Sequence, residues 1–192
     1  MHNASVGTLV FALLLGIPRA LVGQDAPTPQ GTTFRFSEAI LRGYHGLQQD
    51  LAEAAAKMPD EHYGFKPTPD IRPFGQLIAH VALAQFRTCA MLKGQPNPRK
   101  DDKEDASRTK ADEIALLKES TAYCDPVVSA VNDTTMAELT QVDQMQVAKG
   151  LIPVELVAHG MEMYGTMAVY LRLKGIVPPT TERQMQQIKK GK

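Results

Sequence analysis

Four stretches of the chain place apolar residues at the three- and four-residue spacing of an amphipathic helix. They cover residues 37–58, 74–92, 110–132 and 152–174. Ser37 is the predicted N-cap of the first helix, and prolines or glycines follow three of the four stretches, as is usual at helix ends. The pattern predicts an all-α protein folded as a four-helix bundle, with residues 34–179 as its domain.

The connections between these helices have distinct compositions. Residues 59–73 contain four prolines and predict an extended, turning segment. Residues 95–110 are polar and highly charged, which predicts a solvated loop that is long enough to permit a crossover. Residues 133–150 predict one helical turn around Met136–Leu139 followed by a loop, and no strand is expected. Residues 180–192 are predicted to form a polar C-terminal tail that contains a short helix.

The amino terminus differs from the rest of the chain. An apolar run over residues 8–17 is followed by a short stretch of small residues and then by a segment rich in Pro and Thr. This order is typical of a secretory signal, although no Lys or Arg precedes the apolar run. We therefore expect a signal peptide over residues 1–23, a linker over 24–33, and an exported protein, periplasmic or secreted, that is not membrane-bound after cleavage. The alternatives are a misassigned start codon and a retained apolar tail.

Charge and cysteine content narrow the possible partners and the compartment. The 192 residues include 21 basic and 21 acidic side chains, and this balance argues against a nucleic-acid partner. The sequence contains two cysteines, Cys89 and Cys124. Export favours a disulfide between them, and the alternative is a pair of buried thiols.

Two histidines lie in the two most apolar helices, where a bundle would place a cofactor or metal site. His80 lies at the margin of an apolar stripe, and His159 shares one helical face with Glu155 and Met163. Each histidine could instead be a hydrogen-bonded core residue, and Met163 could be core packing. The pattern alone therefore indicates a two-histidine site as one of two alternatives.

Two glycines lie on the fourth helix close to His159. Gly160 and Gly165 each cost roughly 1 kcal/mol relative to alanine inside a helix. We expect either close helix packing or room for a ligand to offset that cost.

Three segments carry a resemblance to a known family. They are MPDEHYGFKPTPDIRPFGQLIAHVALAQ, ALLKESTAYCD and LVAHGMEMYGTMAVYLRLKGIVPP. From Phe34 to Pro179 the chain resembles the DinB-like (YfiT-like) superfamily of proposed metal-dependent hydrolases, which are four-helix proteins. The resemblance implies a metal site with a histidine on the second helix and a His-x-x-x-His-x-Gly motif on the fourth. His80 and His159 match these positions, whereas Met163 replaces the last histidine.

This replacement leaves three alternatives open for the metal site. The site has no functional metal, or Glu155 or Glu162 completes a His₂–carboxylate set suited to Zn²⁺, Fe²⁺ or Mn²⁺. The third alternative is copper, because a thioether such as that of Met163 suits Cu(I). Zn²⁺ or Ni²⁺ would be bound weakly with one imidazole fewer.

The resemblance also implies a class of function. It favours a metal-dependent hydrolase or transferase acting on a small molecule, with Glu155 or Glu162 as a weak candidate for the general base. The alternative is a catalytically silent bundle that binds a small ligand or a metal, and a third is a structural homodimer. The sequence predicts neither the substrate nor the identity of a bound ion.

Overall fold

The computed structural model describes residues 35–142 and 144–191, so the predicted signal peptide and linker lie outside the described residues. The prediction of an all-α protein is confirmed, and no helix in these ranges combines the length and apolar character that crossing a bilayer requires. The elements in chain order are α1 (Phe36–Lys57), a 3₁₀ turn (Asp60–His62), α2 (Phe74–Lys93), α3 (Lys110–Ser129), α4 (Asp133–Ala137), β1 (Leu139–Val142), β2 (Met145–Ala148), α5 (Leu151–Leu173) and α6 (Pro179–Lys190).

The four long helices α1, α2, α3 and α5 form the bundle. Helix α2 packs against α3 and α5, and α1 packs against the same two helices. The pair α1 and α3 therefore forms one side of the bundle, and α2 and α5 form the opposite side. The larger core cluster fills the space between them, and its fully buried members include Leu51, Phe74, Ile78, Met167 and Leu171.

A second buried cluster contains the disulfide. Cys89 on α2 is bonded to Cys124 on α3, with their Cα atoms 5.4 Å apart. The two cysteines are fully buried beside Tyr44, Val128 and Ile152. The predicted disulfide is confirmed, and it joins two helices that are neighbours in the bundle.

The start of α1 differs from the prediction. The N-cap position is Arg35, and Ser37 lies inside the first turn, so the prediction of Ser37 as N-cap is wrong. The backbone N–H of Ser37 donates to Asp133 Oδ1 at 2.7 Å. A carboxylate from the segment after α3 thus satisfies one of the free N–H groups at this helix start.

Strands β1 and β2 pair antiparallel in the segment where the sequence predicted a loop. Leu139 pairs with Ala148, and Val142 pairs with Met145. Each strand is only four residues long, which is too short for alternation of polar and apolar residues to be distinguished from a loop. The preceding helical turn, α4, begins three residues earlier than predicted.

The polar C-terminal segment forms helix α6, which is attached to α1 by charged side chains. Arg183 forms ion pairs with Asp50 and Glu53. Lys57 Nζ lies 2.6 Å from Glu182 Oε2. Ion pairs attach this helix to α1, so its sequence carries no apolar stripe from which the contact with α1 could be predicted.

Gly160 and Gly165 of α5 differ in what surrounds them, and this difference predicts opposite effects on stability. A Cβ at Gly160 would overlap Leu47 Cδ2 and lie 3.2 Å from Leu47 Cγ, whereas nothing lies within 4 Å of a Cβ at Gly165. Leu47 is fully buried and has little room to move. We expect Gly160→Ala to lower the free energy of unfolding by about 1–2 kcal/mol through overpacking. Gly165→Ala should raise it by up to ~1 kcal/mol through helix propensity.

Urea unfolding followed by far-ultraviolet circular dichroism measures both variants. Gly165→Ala is the matched control, because it makes the same change on the same helix. Stabilisation by both substitutions would contradict the close packing of α5 against α1.

Candidate metal centre

The two predicted histidines meet between α2 and α5. His80 Nε2 and His159 Nε2 are 3.1 Å apart, and the rings meet edge to face with centroids separated by 5.0 Å. The side chains are 19% and 27% exposed. The packing of α2 on α5 therefore brings both imidazoles to one partly buried point that solvent can reach.

A carboxylate orients the His80 ring from its other side. Glu104 Oε1 lies 2.6 Å from His80 Nδ1, and Arg72 Nε donates to Glu104 Oε2 at 3.0 Å. Partial burial alone would raise the pKa of Glu104, but hydrogen bonds from His80 and Arg72 outweigh burial and lower that pKa. When His80 is neutral, an ionised Glu104 that accepts the proton of Nδ1 leaves the lone pair of His80 Nε2 facing His159.

His159 has a weaker contact of the same kind. Glu162 lies one helical turn after it, with Oε2 3.6 Å from His159 Nδ1. This distance is too long for a hydrogen bond, so the contact is electrostatic. Because the Glu162 side chain is 71% exposed, water weakens its effect. Each histidine thus has a carboxylate near Nδ1 and presents Nε2 to the other histidine.

Sequence reasoning missed Glu104, which lies in the segment predicted to be a solvated loop. The Arg108 side chain donates to the backbone carbonyl oxygens of Lys103 at 2.8 Å and Glu104 at 3.4 Å, which holds the loop turned toward α2. Thr109 then caps α3 through reciprocal hydrogen bonds with Asp112. Nothing in the charged run distinguishes Glu104 from its acidic neighbours, so only the folded chain identifies it.

The spacing of the two Nε2 atoms fits a shared transition-metal ion. Two imidazole nitrogens that each lie about 2.0–2.1 Å from one ion are separated by roughly 2.9–3.4 Å in square or tetrahedral geometry. A direct Nε2–H···N hydrogen bond also fits the observed 3.1 Å. Across residues 35–142 and 144–191, no three His, Cys, Asp or Glu side chains come together as a metal-binding group. The pair therefore has a fitting geometry without a third ligand of these types.

The structure places the other predicted site residues around the pair. Met163 is partly buried, packs against the larger core cluster and lines a cleft together with Glu104. Glu155 lines a small cavity of about 70 Å³ beside His159. Glu162 contacts the outer nitrogen of His159 and not the one that faces His80. The roles predicted for these three residues stay predictions.

Two larger openings also lie beside the histidine pair. The larger is a cleft of about 510 Å³ that reaches Glu104 and Met163 and is also lined by Asp70, Ile71, Arg72 and Tyr170. The smaller has a volume of about 160 Å³ and is lined by His80, Arg87 and Lys100, among others. Clefts of a few hundred Å³ are the usual size for small-molecule sites.

Comparison with models of known families shows the family to which this chain belongs. The model of the DinB superfamily matches residues 44–149, which is just over half of the sequence. The chain belongs to the DinB superfamily. The matched range contains His80 and Glu104 of this DinB-superfamily protein, whereas His159 and Met163 lie beyond it. A search of curated proteins gives no significant match.

Solved structures of DinB-like proteins share the fold. A DinB-like protein from Bacillus cereus ATCC 10987 aligns with a TM-score of 0.64 at 13% identity, covering 76% of this chain and 96% of that one. A DinB-like protein from Bacillus subtilis gives 0.58 at 17% identity, covering 71% and 92%. A conserved protein from Enterococcus faecalis gives 0.57 at 13% identity, covering 73% and 98%. Identities this low establish similarity of the fold and nothing more.

Proposed function

We propose that this DinB-superfamily protein binds one transition-metal ion through Nε2 of His80 and His159 and acts with it on a small molecule as a hydrolase or transferase. The observation that carries the proposal is the pair of facing Nε2 atoms, 3.1 Å apart. The two imidazoles favour Zn²⁺, Ni²⁺ and Fe²⁺, whereas Mn²⁺ would also need a carboxylate ligand such as Glu155.

The support for a metal comes from the Nδ1 sides of the rings. Histidines that bind metals almost always donate their other N–H to a carboxylate, a carbonyl or water. His80 makes this contact with Glu104 at 2.6 Å. Glu104 is in turn held by Arg72 through its side chain and by Arg108 through its backbone. This arrangement fixes the His80 ring and its tautomer before any ion binds.

Residues around the histidine pair could bind a small molecule and accept a proton from it. A transition-metal ion at the pair would supply Lewis acidity to a bound small molecule. Arg72 and Tyr170 line the larger cleft, and Tyr170 Oη is held by donating to the Arg72 carbonyl oxygen at 2.8 Å. Glu155 lines the cavity beside His159, so it is better placed than Glu162 to accept a proton there.

Met163 sets the expected strength and selectivity of binding. The resemblance implies three imidazoles at the family site, and this chain has two. The thioether of Met163 in the third position is a poor ligand for Zn²⁺ and a good one for Cu(I). Met163→His is therefore expected to tighten binding of Zn²⁺ and Ni²⁺. Preference of the natural chain for Cu⁺ over Zn²⁺ would favour the alternative of a copper-binding bundle.

Export is part of the proposal. The apolar run at residues 8–17 resembles a signal peptide, and the Cys89–Cys124 disulfide supports an oxidising compartment. Detection of mature protein that begins near Gln24 outside the cytoplasm tests it. A full-length chain retained in the cytoplasm would contradict export.

The metal proposal is tested by elemental analysis of protein purified without an affinity tag and by competition titrations with Zn²⁺, Ni²⁺, Mn²⁺ and Cu⁺. We expect about one ion per chain. Loss of a residue that orients a ligating histidine typically costs about 10–100-fold in metal affinity, and we expect a loss of about that size for Glu104→Gln. We expect His159→Ala, which removes a ligand itself, to lose more than about 100-fold in affinity. His45→Ala should bind as the wild type does, because His45 is exposed on α1 and its ring contacts Tyr44, which is not part of the pair.

Two results would contradict the metal proposal. The first is the absence of binding to all four ions. The second is equal binding by the wild type and by His159→Ala. Either result would identify the His80–His159 contact as a plain hydrogen bond and direct attention to a metal-free ligand-binding role.

A further inference from the structure

Another cavity lies on the side of the bundle opposite the histidine pair. It is a groove of about 390 Å³ between α1 and α3, and we call it the α1–α3 groove. Much of its lining is small or apolar, and these residues are Ala52, Ala55, Ile114, Leu117 and Ala122. Short side chains on facing helices leave the groove open, because they do not fill the space between the two backbones.

Gln48 lines this groove and has an unpaired hydrogen-bond donor. The residue is only 9% exposed. Its Oε1 accepts from Gln85 Nε2 at 3.1 Å and from Thr121 Oγ1 at 2.9 Å. Its Nε2 is buried and has no acceptor within the described part of the chain. Buried donors are nearly always paired, so this one indicates a missing acceptor.

A cation lines the same groove as this donor. Lys118 also lines the groove, one helical turn before Thr121 on α3, and is exposed. It forms no ion pair with any described residue. Asp125 lies one turn beyond Thr121 in the other direction, and its Oδ1 accepts from Tyr44 Oη at 2.8 Å. Along α3, the cation of Lys118 therefore lies on the Ile114 side of Thr121, and the Asp125 carboxylate lies on the other side.

We propose that the α1–α3 groove binds an amphipathic monocarboxylate, with its head group at Gln48 and Lys118. The carboxylate would accept a hydrogen bond from Gln48 Nε2 and would neutralise the Lys118 ammonium. The alkyl chain would lie over Ala52, Ala55 and Ile114, away from Asp125. Thr121 and Ile114 are seven residues apart on α3, and this separation gives the chain a track of about 10 Å.

This site is independent of the proposed metal centre. The groove is formed by α1 and α3, whereas both histidines belong to α2 and α5. Its test needs no metal and no catalytic assay. Failure of one proposal therefore leaves the other intact.

Octanoate is the probe, and calorimetric titration of the full chain with octanoate is the measurement. We expect a dissociation constant below about 1 mM. Ala52→Phe places an aromatic ring in the groove at an exposed position and should weaken binding by more than about tenfold. Val169→Phe is its matched control, since Val169 is exposed on α5, and should bind as the wild type does. Lys118→Met should weaken binding by about fivefold, and Lys189→Met, at an exposed position on α6, should have no effect.

Octanol distinguishes the carboxylate head from simple burial of an alkyl chain. We expect it to bind at least about fivefold more weakly than octanoate. Equal binding of octanol and octanoate would overturn the assignment of the head group. Absence of octanoate binding, or octanoate binding that Ala52→Phe leaves unchanged, would overturn the site.

Discussion

Reducing the Cys89–Cys124 disulfide is expected to lower the free energy of unfolding by about 4 kcal/mol. The bond joins residues 35 positions apart in the chain. In the chain-entropy model, a crosslink of this span restricts the unfolded ensemble and so raises its free energy relative to the folded state. The folded state changes less on reduction, because both sulfur atoms already lie fully buried in the second core cluster. Most of the effect is therefore expected in the unfolded state.

Urea unfolding with and without reductant measures this difference. The double variant Cys89→Ala with Cys124→Ala is the control, since its unfolding must not respond to reductant. Equal stability of the oxidised and reduced wild type would contradict the prediction. So would free thiols in protein isolated from an oxidising compartment.

Glu113 is expected to make the protein less stable as pH rises from about 4.5 to above 7. The residue lies in the first turn of α3 and is 3% exposed. Burial raises its pKa to about 7, although the Arg108 guanidinium, 3.9 Å from Oε1, acts in the opposite direction. In this window the folded chain holds a proton that the unfolded chain has released. Stability therefore falls with rising pH and stays lower above the folded pKa, by up to about 3 kcal/mol.

Glu113→Gln removes the ionisable group while keeping the shape of the side chain. We expect the variant to lose this pH dependence and, at pH 8, to exceed the wild type in free energy of unfolding by ~2–3 kcal/mol. At pH 5 the two proteins should be similar, since Glu113 is then neutral when folded. Glu61→Gln, at an exposed position, is the control for a carboxylate lost from the surface. A parallel pH profile for wild type and Glu113→Gln would show that Glu113 is ionised in the folded protein.

The long helices could be predicted because their signals are local. The apolar stripe of α2 predicted residues 74–92, and the structure has Phe74–Lys93 followed by Gly94 with φ of 64°. Left-handed backbone of this kind at a helix end favours glycine, so the stop is encoded by one residue. The disulfide could also be predicted from the sequence. Export favours disulfides, and a chain with two cysteines has one possible intramolecular pairing.

The order of the helices in space could not be predicted from the sequence. The long charged loop after α2 permitted either a crossover or a connection to a neighbouring helix, and the structure shows that α2 and α3 are neighbours. The helices that lie diagonally are α1 and α2, and also α3 and α5. Each helix has an apolar stripe that is compatible with several neighbours, so the pattern cannot select among them.

The sequence predicted some residues of the candidate metal centre and missed another. His80 and His159 were predicted as a pair, by their helices and by resemblance to the family. Glu104, which fixes the His80 ring, lies in a charged run that has no periodicity. Its role depends on a loop held by Arg108, and no pattern of neighbouring residues encodes that contact.

The sequence by itself determined the helix positions, most helix ends and the identity of the candidate metal ligands. These features depend on backbone propensity and on periodicity within about twenty residues of chain, where each residue's neighbours are known in advance. Tertiary structure alone decided which helices face each other, which carboxylate orients His80, and that Gln48 and Lys118 line one groove. These depend on contacts between distant segments, and such contacts are set only when the whole core packs as one unit.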